Sequence, residues 1–149
     1  MKSTIYIDAD ACPVRKETIK IAERNKIKLF IVCNGGLRPE NSPIAQTIVV
    51  DQGANQADKW ILENIKPRDI VITADTILAA ECLEQEAHVI SYRGETFSQA
   101  NIGIKLATKD LLEDIRSSNP YFQNKTKPFS RMDKTRFINS LQKLVQRCG

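Results

Sequence analysis

Short apolar runs rich in β-branched residues alternate with longer amphipathic segments along this chain. Five such runs predict strands, and the segments between them carry apolar residues at helical spacing. Alternating strands and helices form βαβ units, whose crossovers cover both faces of a parallel sheet. We therefore expect an α/β fold, a three-layer sandwich around a mainly parallel sheet of about five strands. The predicted strands are residues 4–8, 27–33, 44–50, 69–74 and 87–92.

The two longest predicted helices are residues 98–118 and 131–147. The first of them carries an apolar stripe, made of Ile102, Leu106, Leu111, Leu112 and Ile115. A chain of 149 residues with a hydrophobic fraction of 42% suits a single domain, 1–149, with a basic helical segment at 125–149.

The chain has no apolar run near the ~20 residues that a membrane span requires. Its first residues lead directly into a strand, without the apolar stretch of a secretory signal. These two features predict a cytoplasmic protein that does not enter a membrane.

Acidic residues stand where two of the predicted strands end. Asp8 and Asp10 follow the first apolar run, and Asp75 follows the fourth. The carboxyl ends of parallel strands meet at the edge where such sheets bind their ligands. Carboxylates gathered there repel one another unless a cation lies between them, and hard oxygen ligands suit a divalent cation.

Asp58 is a fourth candidate, because it lies in the first turn of a predicted helix and a carboxylate is favoured there. Each acid also has a plainer interpretation. Asp75 is placed to cap the helix over residues 76–86, and Asp58 to be a solvated acid. Only the convergence of all four carboxylates on one edge favours a metal site.

Five further residues are candidates for binding a substrate. Asn34 and Thr73 stand at the ends of predicted strands, where they would hydrogen-bond to a substrate or to metal-bound water. Arg15, Arg93 and Arg131 would clamp phosphate, for which the guanidinium group is well shaped.

The metal predicted from these residues is magnesium or manganese. The four cysteines have no paired spacing and there is one histidine, so the chain has few ligands for zinc. We expect the cysteines to be free or structural thiols. Cys12 lies beside a helix N-terminus, but with no histidine nearby we interpret it as a small packing residue.

The charge is unevenly distributed. Residues 125–149 contain seven basic residues against Asp133 alone, whereas residues 1–124 contain 15 basic and 17 acidic residues. An acidic edge together with a basic end suits a phosphate-rich partner, RNA or DNA. The alternative is a solvated basic helix. The basic residues of this end are Lys125, Lys127, Arg131, Lys134, Arg136, Lys143 and Arg147.

Several of these segments also resemble those of a known family. The hexapeptide of residues 8–13, residues 71–75 with 78–80, and Arg93-Gly94-Glu95 are similar to signature segments of the uncharacterised bacterial YaiI/YqxD proteins. The resemblance implies a fold similar to PIN-like nucleases, with strand order 3-2-1-4-5. It places Asp8, Asp58 and Asp75 as metal ligands and Asp10 as an accessory acid. Asn55 stands where those relatives carry aspartate, which favours one metal over two.

Three functions remain open from the sequence. The first is a metal-dependent nuclease that hydrolyses phosphodiesters in RNA or DNA. The second is a phosphatase of the haloacid-dehalogenase kind, with Asp8 as nucleophile, Asp10 as general acid and Thr73 as the strand-end hydroxyl. The third is a catalytically inactive domain that binds nucleic acid.

Overall fold

The computed structural model describes residues 3–9, 12–35, 42–53, 55–119, 121 and 128–148. For residue 148 it describes the backbone but not the side chain. The strands are β1 (Ile5–Asp8), β2 (Leu29–Cys33), β3 (Ala45–Val49), β4 (Ile70–Ile72), β5 (His88–Ile90) and β6 (Thr96–Phe97). The helices are α1 (Arg15–Asn25), α2 (Gln56–Asn64), α3 (Thr76–Glu84), α4 (Ile102–Ser118) and α5 (Arg131–Cys148). The α/β fold class predicted from the sequence is confirmed.

The strands form one sheet in the order β3-β2-β1-β4-β5-β6. All neighbours run parallel except β5 and β6, which are antiparallel. The order 3-2-1-4-5 that the family resemblance implies is thus present, with a sixth strand added at one edge. The sequence did not predict β6 because two residues show no periodicity.

Each face of the sheet packs against its own pair of helices, which makes the three layers. Side chains alternate along β1, so that Ile5 and Ile7 face α1 and α5, and Tyr6 faces α2 and α3. Each face buries an apolar cluster. The central strands are apolar on both faces, as expected of a parallel sheet covered on both sides.

The Asp69 side chain connects the starting ends of β1 and β4. The buried Asp69 carboxylate accepts hydrogen bonds from the backbone N–H of Thr4 (3.0 Å) and of Lys66 (2.9 Å). Because Asp69 precedes β4 directly, the bond from Thr4 fixes the start of β4 beside β1 at the end of the sheet opposite the candidate site, and the bond from Lys66 shapes the turn that leads into β4.

Helix α4 packs against α3 on the outside of the molecule, and none of its residues is buried. The apolar stripe predicted for this helix is therefore at most half-buried, and its member Leu111 is 59% exposed. The apolar spacing is that of an amphipathic helix, but both sheet faces are already covered by other helices. Among the described residues, no helix has the length and apolar character needed to span a membrane.

Candidate functional site

The carboxyl ends of β1 and β4 carry the two polar residues at the centre of the candidate site. Ile7 is the register partner of Ile72, so Asp8 and Thr73 stand opposite each other. The Thr73 hydroxyl donates a hydrogen bond to Asp8 Oδ2 (3.1 Å) and accepts one from the backbone N–H of Asp75 (3.0 Å). Thr73 is 1% exposed, so a buried hydroxyl joins Asp8 to the segment that carries Asp75.

The position of this pair in the sheet favours a ligand site. From β1 the chain continues to β2 and β3 on one side, and β4 leads to β5 and β6 on the other. The crevice outside the carboxyl ends of strands at such a reversal is where open α/β sheets bind ligands. Asp8 and Thr73 lie on the two strands that form this switch point.

Asp75 is the N-cap of α3. Its Oδ1 accepts hydrogen bonds from the backbone N–H of Ile77 (2.9 Å) and of Leu78 (3.1 Å). The capping interpretation is therefore confirmed. Both bonds use the same oxygen, so capping does not occupy the whole carboxylate.

Asp58 reaches the same side of the sheet from a different layer. It is the third residue of α2, half-buried, and α2 packs on the face toward which Asp8 points. Its charge also acts on Cys82 of α3, whose pKa is raised to about 12, first by burial and then by Glu81 and Asp58. Asp58 thus lies in the layer of α2 and α3 that covers Asp8 and Thr73.

The chemistry of these donors matches magnesium or manganese, but their arrangement is incomplete in the described part of the chain. No group of three or more histidine, cysteine, aspartate or glutamate side chains among the described residues is placed to hold a metal ion. Asp10 lies outside those residues. Magnesium needs only one or two protein carboxylates when water and substrate phosphate supply the remaining ligands. Asp8 and Asp75 each bring a hard oxygen donor to the carboxyl ends of β1 and β4.

Asn34 adds a second observation that points to a ligand at this edge. It follows β2 directly, two residues beyond Val32, the register partner of Asp8. Its Oδ1 is buried, and no described residue donates a hydrogen bond to it. Buried acceptors without a donor are rare, and a carbonyl oxygen accepts equally well from water, from an N–H group or from a divalent cation.

The predicted phosphate-binding arginines are dispersed. Arg15 is the first residue of α1, and its charge acts on Cys12. Arg93 donates to Asp133 Oδ2 (3.0 Å), which holds the start of α5 against the turn after β5. Arg131 is the exposed first residue of α5. The ion pair of Arg93 with Asp133 is a structural contact.

Cys12 is not an activated nucleophile. Burial raises the pKa of its thiol to about 11, and the charge of Asp8 adds to this effect. Cys12, Cys33 and Cys82 are free thiols. The interpretation of Cys12 as a packing residue is confirmed by its contact with the apolar cluster between the sheet and α1 and α5.

The basic end of the chain lies mainly on the other face of the sheet from Asp8. Helix α5 buries Phe137, Leu141 and Val145 on the face covered by α1. Two of its basic residues have acidic partners, since Lys134 pairs with Glu17 (2.9 Å) and Arg136 approaches Asp133 (3.6 Å). Lys125 and Lys127 lie outside the described residues. The predicted contact of this end with nucleic acid stays a prediction.

Sequence reasoning missed one polar position at this edge. Ile72 is the register partner of Ile90, so Ser91 stands opposite Thr73 and extends the row that begins at Asp8. Its hydroxyl accepts hydrogen bonds from the backbone N–H of Arg93 (3.3 Å) and of Glu95 (3.2 Å). Ser91 therefore shapes the turn beside the site, and no sequence pattern shows the register on which its position depends.

The polar row at the switch point defines an α/β protein with a candidate ligand site between its two central strands. A sequence profile of the uncharacterised YaiI/YqxD family matches residues 6–147, and the chain belongs to that family. It is 45% identical over 145 residues to a UPF0178 protein of Ruegeria pomeroyi, which covers 97% of this chain and 94% of that protein.

Other members of the family are similar over nearly their whole length. A UPF0178 protein of Parvibaculum lavamentivorans is 44% identical over 144 residues, which is 95% of this chain and 93% of that protein. A third, from Mesorhizobium japonicum, is 41% identical over 144 residues, 97% of this chain and 92% of that protein. No solved structure matches the chain significantly. The likeness to PIN-like nucleases thus stays a prediction.

Proposed function

We propose that this protein is a magnesium- or manganese-dependent hydrolase of phosphodiester bonds in nucleic acid. The observation that carries the proposal is the hydrogen-bonded link from Asp8 through Thr73 to the backbone of Asp75 at the switch point of the sheet. This link joins the Asp8 carboxylate on β1 to the backbone of Asp75, whose own carboxylate caps α3 at the end of β4. The buried Oδ1 of Asn34, to which no described residue donates a hydrogen bond, supports a ligand at the same edge.

Each residue has a distinct part in this proposal. Asp8 and Asp75 bind the cation, and Thr73 fixes the orientation of Asp8 through its 3.1 Å hydrogen bond. Asp58 and Asp10 supply further negative charge around the cation, and Asn34 accepts a hydrogen bond from water or substrate. The bound metal ion would stabilise charge on the phosphoryl oxygens and lower the pKa of a coordinated water.

One contact favours this function over the phosphatase alternative. A phosphatase with Asp8 as nucleophile needs the Thr73 hydroxyl to donate to the substrate phosphate. A threonine hydroxyl has a single proton to donate, and in this structure Thr73 donates it to Asp8. The hydroxyl is therefore used to orient the carboxylate, as a metal ligand requires.

The test compares phosphodiester and phosphomonoester substrates. Single-stranded RNA and DNA oligonucleotides, and p-nitrophenyl phosphate, are incubated with the protein in manganese or magnesium. We expect metal-dependent cleavage of an oligonucleotide by the parent protein. Asp8→Asn should lower its rate by more than about 100-fold, because even outer partners of metal ligands are worth about 10–100-fold.

The control variant is Asp110→Asn, which makes the same chemical change at an exposed position on α4 and should retain the parent rate. Hydrolysis of the phosphomonoester alone would reject the nuclease and support the phosphatase. Binding of the oligonucleotide with neither activity would leave a binding domain. Unchanged cleavage by Asp8→Asn would mean that the reaction takes place elsewhere on the molecule.

A further inference from the structure

A groove lies between α4 and the segment that runs from the end of β5 through β6. Its volume is about 670 Å³, and its lining includes Ala74 and Thr76, the two neighbours of Asp75. Tyr92, Phe97 and Leu112 line it farther along. The groove therefore begins at the candidate site and extends away from it along α4.

Basic side chains dominate the charge of this groove. Its lining contains Arg93, Lys105, Lys109 and Arg116 against two acids, Glu95 and Glu113. Three of the basic residues are on α4 at positions i, i+4 and i+11, a spacing that places them on one face of a helix. The result is a basic stripe, Lys105, Lys109 and Arg116, directed along the groove.

The members of the basic stripe differ in how they are held. Lys105 Nζ pairs with Glu95 (3.0 Å) and lies 5.3 Å from the ring centroid of Phe97. Lys109 and Arg116 form no ion pair with any residue that the structure describes. Lys105 is thus part of the groove wall, whereas the charges of Lys109 and Arg116 remain available to a ligand.

We infer that this groove binds single-stranded nucleic acid and leads it to the carboxylates at the switch point. Proteins bind single strands by combining a basic track for the phosphates with apolar or aromatic surfaces on which unpaired bases stack. The basic stripe supplies the first element, and the half-buried side chains of Tyr92 and Leu112 supply the second. In a duplex the bases are already stacked and paired, so they cannot lie on such a surface.

This inference rests on the proposed function, which explains why a single-stranded nucleic acid would bind here. It goes further because it names the surface along which the nucleic acid lies. It places the contact on α4, on the side of the sheet that carries α2 and α3, rather than on the basic C-terminal end. It also makes the groove a surface whose binding can be measured without any cleavage.

The experiment measures binding of a fluorescent, uridine-rich RNA oligonucleotide in EDTA, with Asp8→Asn as the background to prevent cleavage. Binding is followed by anisotropy over a series of salt concentrations. The test variant adds Lys109→Ala with Arg116→Ala. Loss of two phosphate contacts should weaken binding and make the slope of log K against log salt shallower by about 1.4, since each contact on a single strand contributes about 0.7.

The matched control adds Lys16→Ala with Lys20→Ala, which removes the same charge from exposed positions on α1, on the other side of the sheet. We expect this control to keep the parent slope, and the duplex form of the oligonucleotide to bind more weakly than the single strand. Equal effects of the two double variants, or equal binding of duplex, would overturn the inference. Displacement of the RNA by poly-glutamate at equal charge would instead indicate an acidic protein partner.

Failure of this inference and failure of the proposed function give different results. Groove-dependent binding of RNA without any cleavage would reject the hydrolase and keep the groove. Cleavage by the parent protein, with RNA binding unaffected by the loss of Lys109 and Arg116, would reject the groove and keep the hydrolase.

Discussion

Thr73 shows how a single buried hydroxyl organises this sheet edge. It donates to the carboxylate of Asp8 on the neighbouring strand and accepts from the backbone N–H of Asp75 two residues further on. A valine would fill the same volume, but it would leave a carboxylate oxygen and an N–H group without these bonds, which costs about 1–3 kcal/mol for each buried group. The identity of this residue is therefore set by polar contacts, although it occupies a core position.

Asp75 combines a structural contact with a proposed catalytic one, and two substitutions separate them. Asp75→Ser keeps a side-chain oxygen that caps α3 but removes the carboxylate, and Asp75→Ala removes both. We expect Asp75→Ser to stay close to the parent in stability and Asp75→Ala to lose about 1 kcal/mol. Urea unfolding measures the stability, and both variants should lose metal-dependent cleavage. Cleavage that survives in Asp75→Ser would reduce Asp75 to a helix cap.

The residues of the site were predictable to the extent that they are local to strand ends. Asp8, Thr73 and Asp75 follow apolar runs, and the sheet brings those runs side by side. The role of Thr73 was harder to predict from the sequence, because its hydrogen bond to Asp8 spans 65 residues of sequence.

Asn55 shows a different limit of sequence-based prediction. In the sequence it stands where the resemblance implies an aspartate, which suggests the loss of a carboxylate. In the structure it precedes α2 with a φ of +67°, a left-handed conformation that asparagine and aspartate tolerate better than other residues with side chains.

At the scale of the elements, the packing of α5 requires its backbone to lie very close to the turn after β5. Gly94 has a φ of +87°, and a Cβ atom there would lie 2.7 Å from the backbone carbonyl carbon of Arg136. The Ser140 hydroxyl donates to the Gly94 carbonyl (2.9 Å), and Ser130 and Asp133 cap the helix start reciprocally. The glycine is required because helix backbone occupies the space of any side chain.

Gly94→Ala should therefore destabilise the protein by about 2 kcal/mol or more, from left-handed backbone strain and overlap with α5. Gly103→Ala is the matched control, because Gly103 is in α4 with nothing within 4 Å of its Cβ position. That change should be neutral or should stabilise the protein by up to about 1 kcal/mol. Thermal and urea unfolding would measure both. Equal stability of the two variants would show that α5 adjusts its position without cost.

The helices and strands also show that sequence patterns predict the bounds of an element better than the surface against which it packs. The bounds of most strands and helices were predicted within a few residues, because each carries its own periodicity. The exposure of α4 was not predicted, because apolar spacing defines an amphipathic face without naming its partner. Here the faces of the sheet are covered by α1, α2, α3 and α5, so α4 packs mainly against α3.

At the scale of the whole molecule, both faces of the sheet bury groups that ionise at alkaline pH. Tyr6 has its pKa raised from 10.0 to about 12, mainly by burial and then by the charge of Asp69. Burial likewise raises the thiol pKa of Cys12 from 9.0 to about 11 and that of Cys82 from 9.0 to about 12. The folded protein therefore keeps these groups neutral at a pH where the unfolded chain has released their protons.

The part of the stability that depends on these three groups should accordingly be fully present well below pH 9 and be lost as the pH rises toward 12, because the unfolded state then binds fewer protons. Urea unfolding at a series of pH values measures this decline. Tyr6→Phe should make it shallower above pH 10, whereas Tyr121→Phe, at a position that is 91% exposed, should leave it unchanged. A decline that is the same in both variants would mean that Tyr6 does not ionise differently in the two states.

The pairing of β1 with β4 also determines when the candidate site comes into existence. The first three strands, residues 5–49, pair with one another, and β4, β5 and β6 form a second set from residues 70–97. Asp8 belongs to the first set, and Thr73 and Asp75 to the second. The two sets meet along β1 and β4 alone, with Asp69 fastening one end of that seam and Thr73 the other. The amino-terminal set alone therefore carries Asp8 without its hydrogen-bond partner Thr73, and the site is complete only when β4 has paired with β1.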